Sequence, residues 1–347
     1  MYIHQSTCIS AQNTFTDINL EKLMPVEQNV LKIIEPKYEN IPLNILRRMG
    51  KAVRMGVGSA LPLTIQNEKI EGIILGTANG GMEDCIKFLN QLIQYREGTL
   101  TPTNFVQSTP NAIAAQVGLI SHNHGYNITH VHRGLAFENA LIDAKMLLLE
   151  NPDSTYIVGG LDEISTYNYN IERLGTAYKE EEIQNMDLYE CHTPGTIAGE
   201  GAAMFLLNNR KDDASAKISA IHTVTTDNPN EIEERLKQFM IVHSIIPENL
   251  SLLLSGENGD SRLSVFYEKV ESLLGAYVPV ARFKHFFGEF PTASAPGLWL
   301  ASQFLIRQYV PKHFLKPGRP EPKNISNILI YNTYKGNQHS FIYLQSV

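Results

Sequence analysis

Four histidines lie within eleven positions of one short stretch, residues 121–141, which reads SHNHGYNITHVHRGLAFENAL. His130 and His132 alternate along an apolar run typical of a strand, so their side chains are expected on one face. His122 and His124 repeat that spacing. Two imidazoles on one face are the beginning of a metal site, and one imidazole can act as a base near neutral pH. The stretch is therefore a candidate for metal binding or for proton transfer.

The metal interpretation lacks a third ligand. The first histidine pair lies in the polar loop SHNHGYN, and no acidic or thiol side chain follows at a clear ligand spacing. We therefore expect no metal here. Two interpretations stay open. In the one we favour, the histidines fill a pocket or form hydrogen bonds across a dimer interface; in the other, His132 acts as a base or oxyanion donor.

Composition excludes several classes of function. The 347 residues carry a formal net charge of −7, and the lysines form no basic stripe, so we expect no nucleic-acid partner. No run approaches about 18 apolar residues, and the N-terminus lacks a basic segment followed by an apolar one, so we expect no membrane insertion. Three scattered cysteines, Cys8, Cys85 and Cys191, suit the reducing cytoplasm.

Apolar strands that end in glycine alternate with helical patterns along the chain. The runs EGIILG, TYIVGG and LSLLLSG are apolar throughout, which is typical of strands covered on both faces by helices. Helices are predicted from Met82 to about Tyr95, over Gly134–Glu150 and over Arg262–Leu274. The polar stretch RKDD at Arg210–Asp213 separates two α/β halves, predicted as residues 1–209 and 214–347. The pattern predicts a layered α/β protein.

Several stretches resemble the β-ketoacyl synthases in order and spacing. The most specific are IAGEGAAMFLL, which is similar to the family's GEGAG strand, and the register of Gly134 against Gly159 and Gly160. The others are IPLNILRRMGKAVRMGVGSAL, GIILGTANGGMED, TPNAIAAQVGL, STYIVGGLDEIS and FKHFFGEFPTASAPGLWLASQFL. The resemblance implies a thiolase-like α-β-α-β-α architecture of two related halves that forms dimers. It also implies that residues around 104–116 reach the partner's pocket.

The resemblance implies a cysteine, two histidines and a lysine as the catalytic set, with no cofactor. In this sequence Val131 stands where the nucleophilic cysteine is expected, and Glu257 or a neighbour stands where the first histidine is expected. Glu289 replaces the second histidine, five positions after the retained Lys284. A valine cannot form a thioester. We therefore expect no catalytic residues, and we expect Lys284 to pair with Glu289 or Glu257 in an inert polar cavity.

Other side chains are candidates for the lining of a remnant pocket. They are the elbow histidines, two phenylalanines and an asparagine of the shortened C-terminal loop: His130, His132, Phe286, Phe287 and Asn332. The phenylalanines, with Phe283, Phe290 and Trp299, either line an acyl tunnel or belong to the core. Cys191 precedes the GEGA strand in a loop, so nothing there would lower its pKa for a role as a displaced nucleophile.

The resemblance to an acyltransferase family whose triad is missing leads to a functional hypothesis. We expect a chain-length-factor-like subunit that is inactive alone and pairs with an active ketosynthase. It is similar to small ketosynthase-like proteins of aryl-polyene and flexirubin-type pathways, where it would meet acyl carrier protein indirectly. The alternative is a free-standing, carrier-protein-dependent acyltransferase or decarboxylase that uses His132, Lys284 and Glu289. A third possibility is a homodimer that binds acyl groups without a catalytic partner.

Overall fold

The computed structural model describes residues 1–65, 69–98, 100 and 102–347. This part of the chain forms twelve strands, eleven α-helices and four short 3-10 helices. The strands are β1 Tyr2–Ile9, β2 Val30–Leu31, β3 Gly72–Gly76, β4 Tyr126–His130, β5 Tyr156–Asp162, β6 Ala198–Gly199, β7 Gly201–Asn208, β8 Ala216–Thr225, β9 Leu252–Ser255, β10 Val280–Arg282, β11 Asn327–Tyr334 and β12 Gln338–Gln345.

The α-helices include three of the predicted ones within a residue or two of their expected ends. They are α1 Leu43–Leu46, α2 Lys51–Ile65, α3 Met82–Gln94, α4 Pro102–Gln107, α5 Ala112–Ser121, α6 Ala136–Glu150, α7 Thr166–Leu174, α8 Pro229–Val242, α9 Ser264–Leu274, α10 Lys284–Phe287 and α11 Ser294–Arg307. The 3-10 helices cover Arg133–Leu135, Asn185–Tyr189, Pro247–Asn249 and Lys312–Phe314.

The main sheet consists of two halves with the same topology. Its order is β10-β9-β11-β12-β8-β1-β7-β5-β3-β4, and the halves meet where Tyr2 of β1 pairs with Lys217 of β8. From that seam outward, each half has two antiparallel pairings followed by two parallel ones. This repeated order confirms the thiolase-like architecture of two related halves.

Helices cover both sides of each half and fill the space between the halves. Helices α6 and α11 contact each other, and each of them also contacts strands of both halves. Helices α2 and α5 pack outside the first half, whereas α8 and α9 pack outside the second. The result is the predicted α-β-α-β-α layering. The polar join of residues 209–215 lies between β7 and β8, and we propose it as the boundary between the halves.

A glycine in β5 sets how closely the two central helices approach the sheet. A Cβ at Gly160 would lie 2.9 Å from the Cβ atoms of both Ala295 on α11 and Phe137 on α6. Any larger residue would push the helices away from a close-packed core. Gly160, one of the glycines that the sequence analysis singles out, is therefore required by packing, independently of any chemistry.

Strand β4 lies at one edge of the ten-stranded sheet, and it leads into α6 through a tight elbow. Gly134 belongs to a 3-10 turn, Arg133–Leu135, so α6 begins two residues later than predicted. Arg133 has a φ of +48°, the left-handed region that L-residues seldom occupy. Within the described ranges, no helix is both long enough and apolar enough to cross a membrane.

Two leucines of α6 test the importance of the central layer. Leu141 is completely buried, whereas Leu149 is 72% exposed. Leu141→Ala should lower the free energy of unfolding by about 2–5 kcal/mol because it leaves a cavity that the layer cannot close. Leu149→Ala should change it by less than about 0.5 kcal/mol. Urea denaturation followed by circular dichroism measures both; equal effects would contradict the layering.

Candidate functional site

A buried lysine and a glutamate form the centre of the candidate site. Lys284 begins α10 with no exposed surface, and its Nζ donates to Oε1 of Glu289 over 2.7 Å. Asn258, in the loop after β9, donates from Nδ2 to Oε2 of the same carboxylate over 2.9 Å. The structure thus shows the predicted ion pair with Glu289 and adds Asn258 to it. Both nearby donors are occupied by one carboxylate.

Backbone pairing holds Glu289 in place between the two halves. Its N–H donates to the carbonyl of Ile197, and the N–H of Gly199 donates to its carbonyl, with distances of 2.8 and 3.0 Å. Gly288 has a φ of +77°, and a Cβ there would lie 2.6 Å from the carbonyl oxygen of Ala198. Only glycine permits this approach. The position of Glu289 is therefore fixed by main-chain geometry.

Burial lowers the pKa of Lys284, and the charge of Glu289 opposes that shift. The pair has the geometry of a charge-assisted hydrogen bond, in which the carboxylate compensates the desolvated ammonium. A reaction that develops an oxyanion needs hydrogen-bond donors that are free to point at it. Here Lys284 and Asn258 already donate to Glu289. We call these three side chains the floor of the site. The floor therefore presents the carboxylate oxygens of Glu289 and no free donor from Lys284 or Asn258.

A cavity of about 500 Å³ opens above this floor. Apolar atoms contribute the larger part of its exposed wall, and its polar groups include Asn258, Glu289 and Glu163. The lining residues used in the arguments below are Glu163, Tyr169, Tyr178, Asn258, Glu289 and Tyr334. A volume of this size lies within the range of about 300–1,000 Å³ that is typical of small-molecule pockets.

Tyr334, which lines the cavity, and Gln338 both contact the elbow. A Cβ at Gly134 would lie 2.2 Å from the Cβ of Tyr334, so the tyrosine packs directly on the elbow backbone. The N–H of Gly134 donates to Oε1 of Gln338 over 2.9 Å. An N–H at the start of a helix is a natural site for a substrate oxygen. In this chain a side chain of β12 already occupies it.

The predicted elbow residues point away from the cavity. Val131 is 54% exposed and lies outside the cavity lining. His130 Nε2 lies 2.9 Å from Oδ2 of Asp143, and His132 Nδ1 lies 2.9 Å from Nδ2 of Asn139, so each histidine pairs with a different residue of α6. Within the described ranges, no group of three metal-ligating side chains is brought together.

The remaining predicted site residues also lie elsewhere. Glu257 accepts from Lys316 over 2.7 Å and from Arg282 over 3.4 Å, and its neighbour Asn258 reaches Glu289 instead. Phe286 and Phe287 are fully buried, with their rings 4.9 Å apart, because the short α10 directs both into the main hydrophobic core. The core interpretation therefore holds for them, and they do not line the cavity.

Asn332 is also buried, and it lies outside the cavity lining. The Oδ1 atom of Asn332 has no hydrogen-bond partner in the part of the chain that the structure describes.

Cys191 donates from its Sγ to Oε1 of Glu181 over 3.0 Å. This thiol lies outside the cavity lining, so the structure gives no support to a displaced nucleophile there.

Sequence reasoning missed a buried chain of hydrogen bonds behind Lys284. His313 Nε2 donates to the carbonyl of Leu20 over 2.7 Å, so its Nδ1 accepts from His285 Nε2 over 2.9 Å. The remaining nitrogen of His285 then accepts from the hydroxyl of Tyr189 over 3.0 Å. This direction of donation requires both imidazoles to be neutral. Burial lowers the pKa of His285 well below its usual value and also lowers that of His313.

The ion pair gives a first prediction for this site. Glu289→Ala leaves the Lys284 ammonium buried without a partner, which should lower the free energy of unfolding by about 3–5 kcal/mol. The double variant Lys284→Met, Glu289→Leu should recover most of that loss, because no uncompensated charge remains. Urea denaturation measures both variants. A Glu289→Ala protein as stable as the wild type would contradict the role given to the pair.

The histidine chain gives a prediction about pH. Because the folded state favours neutral His285, its stabilisation is complete above the unfolded pKa of about 6.5 and is lost below it, at about 1.4 kcal/mol per pH unit. Unfolding free energies of the wild type should therefore fall more steeply below about pH 6.5 than those of His285→Gln. His124→Gln, in an exposed loop, should keep the wild-type slope. Burial raises the pKa of Asp162 to about 6 and of Glu163 to about 7, which acts in the opposite direction but is common to all three proteins.

Comparisons with known proteins agree with this geometry. Residues 25–178 match the family model of the β-ketoacyl synthase N-terminal domain. A comparison with curated protein sequences gives no match. The structure is similar to a β-ketoacyl synthase from Burkholderia phymatum STM815, with a TM-score of 0.78, 14% identity, and coverage of 100% of this chain and 99% of that one.

Two complexes are similar to the same extent. One is the ishigamide ketosynthase/chain length factor, with a TM-score of 0.79 and 11% identity. The other is the ketosynthase ApeO in complex with its chain length factor ApeC from Xenorhabdus doucetiae, with a TM-score of 0.79 and 13% identity. Both matches cover 100% of this chain and 98% of the other. Residues 25–178 therefore match the β-ketoacyl synthase N-terminal domain, and the chain has the fold of these solved structures along its whole length.

Proposed function

We propose that this protein is a non-catalytic β-ketoacyl synthase homologue that acts as the chain-length-factor-like partner of an active ketosynthase. The pathway class is type II fatty acid or polyketide synthesis, with aryl polyenes as the product class we favour. The observation that carries the proposal is the closed elbow. Residues 131–133 are valine, histidine and arginine, and the amide of Gly134 is held by Gln338.

The floor of the cavity supports the same proposal. Condensation on a thioester requires a thiol for the acyl chain and donors for the oxyanion. The elbow offers no thiol, and Lys284 and Asn258 both donate to Glu289. A chain with this floor can still keep the fold, because Gly160 and Gly288 maintain the packing independently of the triad.

An apolar surface beside β4 supports a partner subunit. Phe105 and Val106 on α4 and Leu119 on α5 are each at least 61% exposed, and Val131, directly after β4, is 54% exposed. Helix α5 contacts both α4 and β4. Exposed apolar side chains near an unpaired edge strand are typical of protein interfaces. We place the ketosynthase on this surface, with residues 104–116 facing its pocket, and acyl carrier protein on the ketosynthase. A homodimer on the same surface is the alternative assembly.

The alternative enzyme gains no support from the arrangement of its residues. His132 forms a hydrogen bond with Asn139 at the exposed elbow, whereas Lys284 and Glu289 lie buried together below the cavity.

The proposal places the protein in the cytoplasm, where its three free cysteines are expected to stay reduced.

Co-expression with a type II ketosynthase and an acyl carrier protein from the source organism tests this function. We expect a heterodimer. We also expect Gln116→Trp on α5 to shorten the acyl product, because the indole ring is larger than the glutamine side chain and would project into the partner's pocket. Gln238→Trp, exposed on the outer helix α8, serves as the matched control and should leave products unchanged. Size-exclusion chromatography and mass spectrometry of carrier-bound products provide the measurements.

Two outcomes would contradict the proposal. One is a stable homodimer that forms no heterodimer with the ketosynthase at any ratio tested. The other is covalent loading of an acyl group on the isolated chain, detected as a mass increase of the intact protein after incubation with acyl-carrier protein.

A further inference from the structure

The charges around the cavity leave one carboxylate without a cation. Four carboxylates line the cavity, and three are paired: Asp260 with Arg262, Glu172 with Lys335 and Glu289 with Lys284. Glu163 is the fourth. It is only 5% exposed, and among the described residues it forms no ion pair and its Oε1 has no hydrogen-bond partner. A buried carboxylate without a partner is costly, so it calls for an explanation.

The nearest charged groups do not satisfy Glu163. Lys51 faces it from α2, but Nζ of Lys51 is bound to Glu200 and to the carbonyl of Ile164. Asp84, Glu83 and Glu200 all face Glu163 with the same sign of charge. Burial, followed by these charges, raises the pKa of Glu163 to about 7 in spite of Lys51. A cation that entered the cavity would meet an electrostatically favourable position.

Two aromatic rings line the same cavity as this carboxylate. Tyr169 and Tyr178 line the cavity with their ring centroids 5.1 Å apart and their planes inclined by 15°. A carboxylate with aromatic faces is the combination that binds organic ammonium groups, because the ring quadrupole adds to the charge attraction. Ile164 and Ile171, also in the lining, offer aliphatic surface for the rest of such a molecule.

The floor favours the same class of ligand. Glu289 accepts from Lys284 and Asn258, so the deep end of the cavity presents carboxylate oxygens and no unoccupied donor from these two residues. A ligand carboxylate would meet like charge at Glu163. We propose that the cavity binds an organic cation, a primary or secondary ammonium on an apolar or aromatic body, with the ammonium group at Glu163. This inference does not depend on a ketosynthase partner.

Calorimetric titration of the full chain with three matched probes tests the proposal. The probes are 2-phenylethylamine, 2-phenylethanol and 3-phenylpropionate, which share an aromatic body and differ in the polar group. We expect the amine to bind at least about tenfold more tightly than either of the others. Glu163→Gln should weaken amine binding by about tenfold or more and alter alcohol binding by less than about threefold. Glu180→Gln, an exposed carboxylate outside the cavity, is the matched control and should bind as the wild type does.

A second variant keeps the test decisive if Glu163→Gln folds poorly. Ile171 lies at the cavity wall and is 66% exposed, so Ile171→Arg should fold normally while placing a competing cation near the ligand. It should also weaken amine binding. The proposal is overturned if none of the probes binds, if 3-phenylpropionate binds as tightly as the amine, or if the folded Glu163→Gln protein retains wild-type amine affinity. The heterodimer experiment is unaffected by any of these results.

Discussion

A lysine with no exposed surface must keep a negative charge beside it, and this requirement sets the chemistry of the whole site. Removing an ammonium group from water costs several kcal/mol, which only a well-placed anion can offset. Glu289 provides that anion, and its backbone is tied to Ile197 and Gly199 where the two halves meet. The pair therefore has a structural role that does not require catalysis, and it fixes the polarity of the cavity above it.

The same pair is consistent with the proposed function, in which the scaffold persists without the reaction. A catalytic floor has to present free donors at the moment when negative charge develops, whereas this floor has both donors bound in the resting protein. The glycines at 160 and 288 remain necessary because backbone and helices approach closely there, whatever the side chains above them do. Packing constraints and chemical constraints are thus separable in this fold.

The sequence predicted the layers well because buried strands leave a direct trace in it. Runs such as GIILG and YIVGG are apolar on both faces, and the structure buries them completely between helices. The ion pair was predicted in part, because the sequence led us to expect Lys284 to pair with Glu289 or Glu257 and left that choice open. The elbow was harder. Its left-handed residue is Arg133, and neither periodicity nor composition marks which residue of a three-residue turn adopts that conformation.

The rest of the site depends on contacts between distant parts of the chain. Asn258 rather than Glu257 reaches Glu289, because the loop after β9 has no alternation from which the direction of a side chain could be inferred. His285 and His313 are 28 positions apart, and their pairing follows from the packing of α10 on the 3-10 helix Lys312–Phe314. Glu163 is recognisable as unpaired only when every neighbouring cation has been assigned to another carboxylate. An absence of this kind is a property of the folded arrangement, so no motif in the sequence can encode it as a local signal.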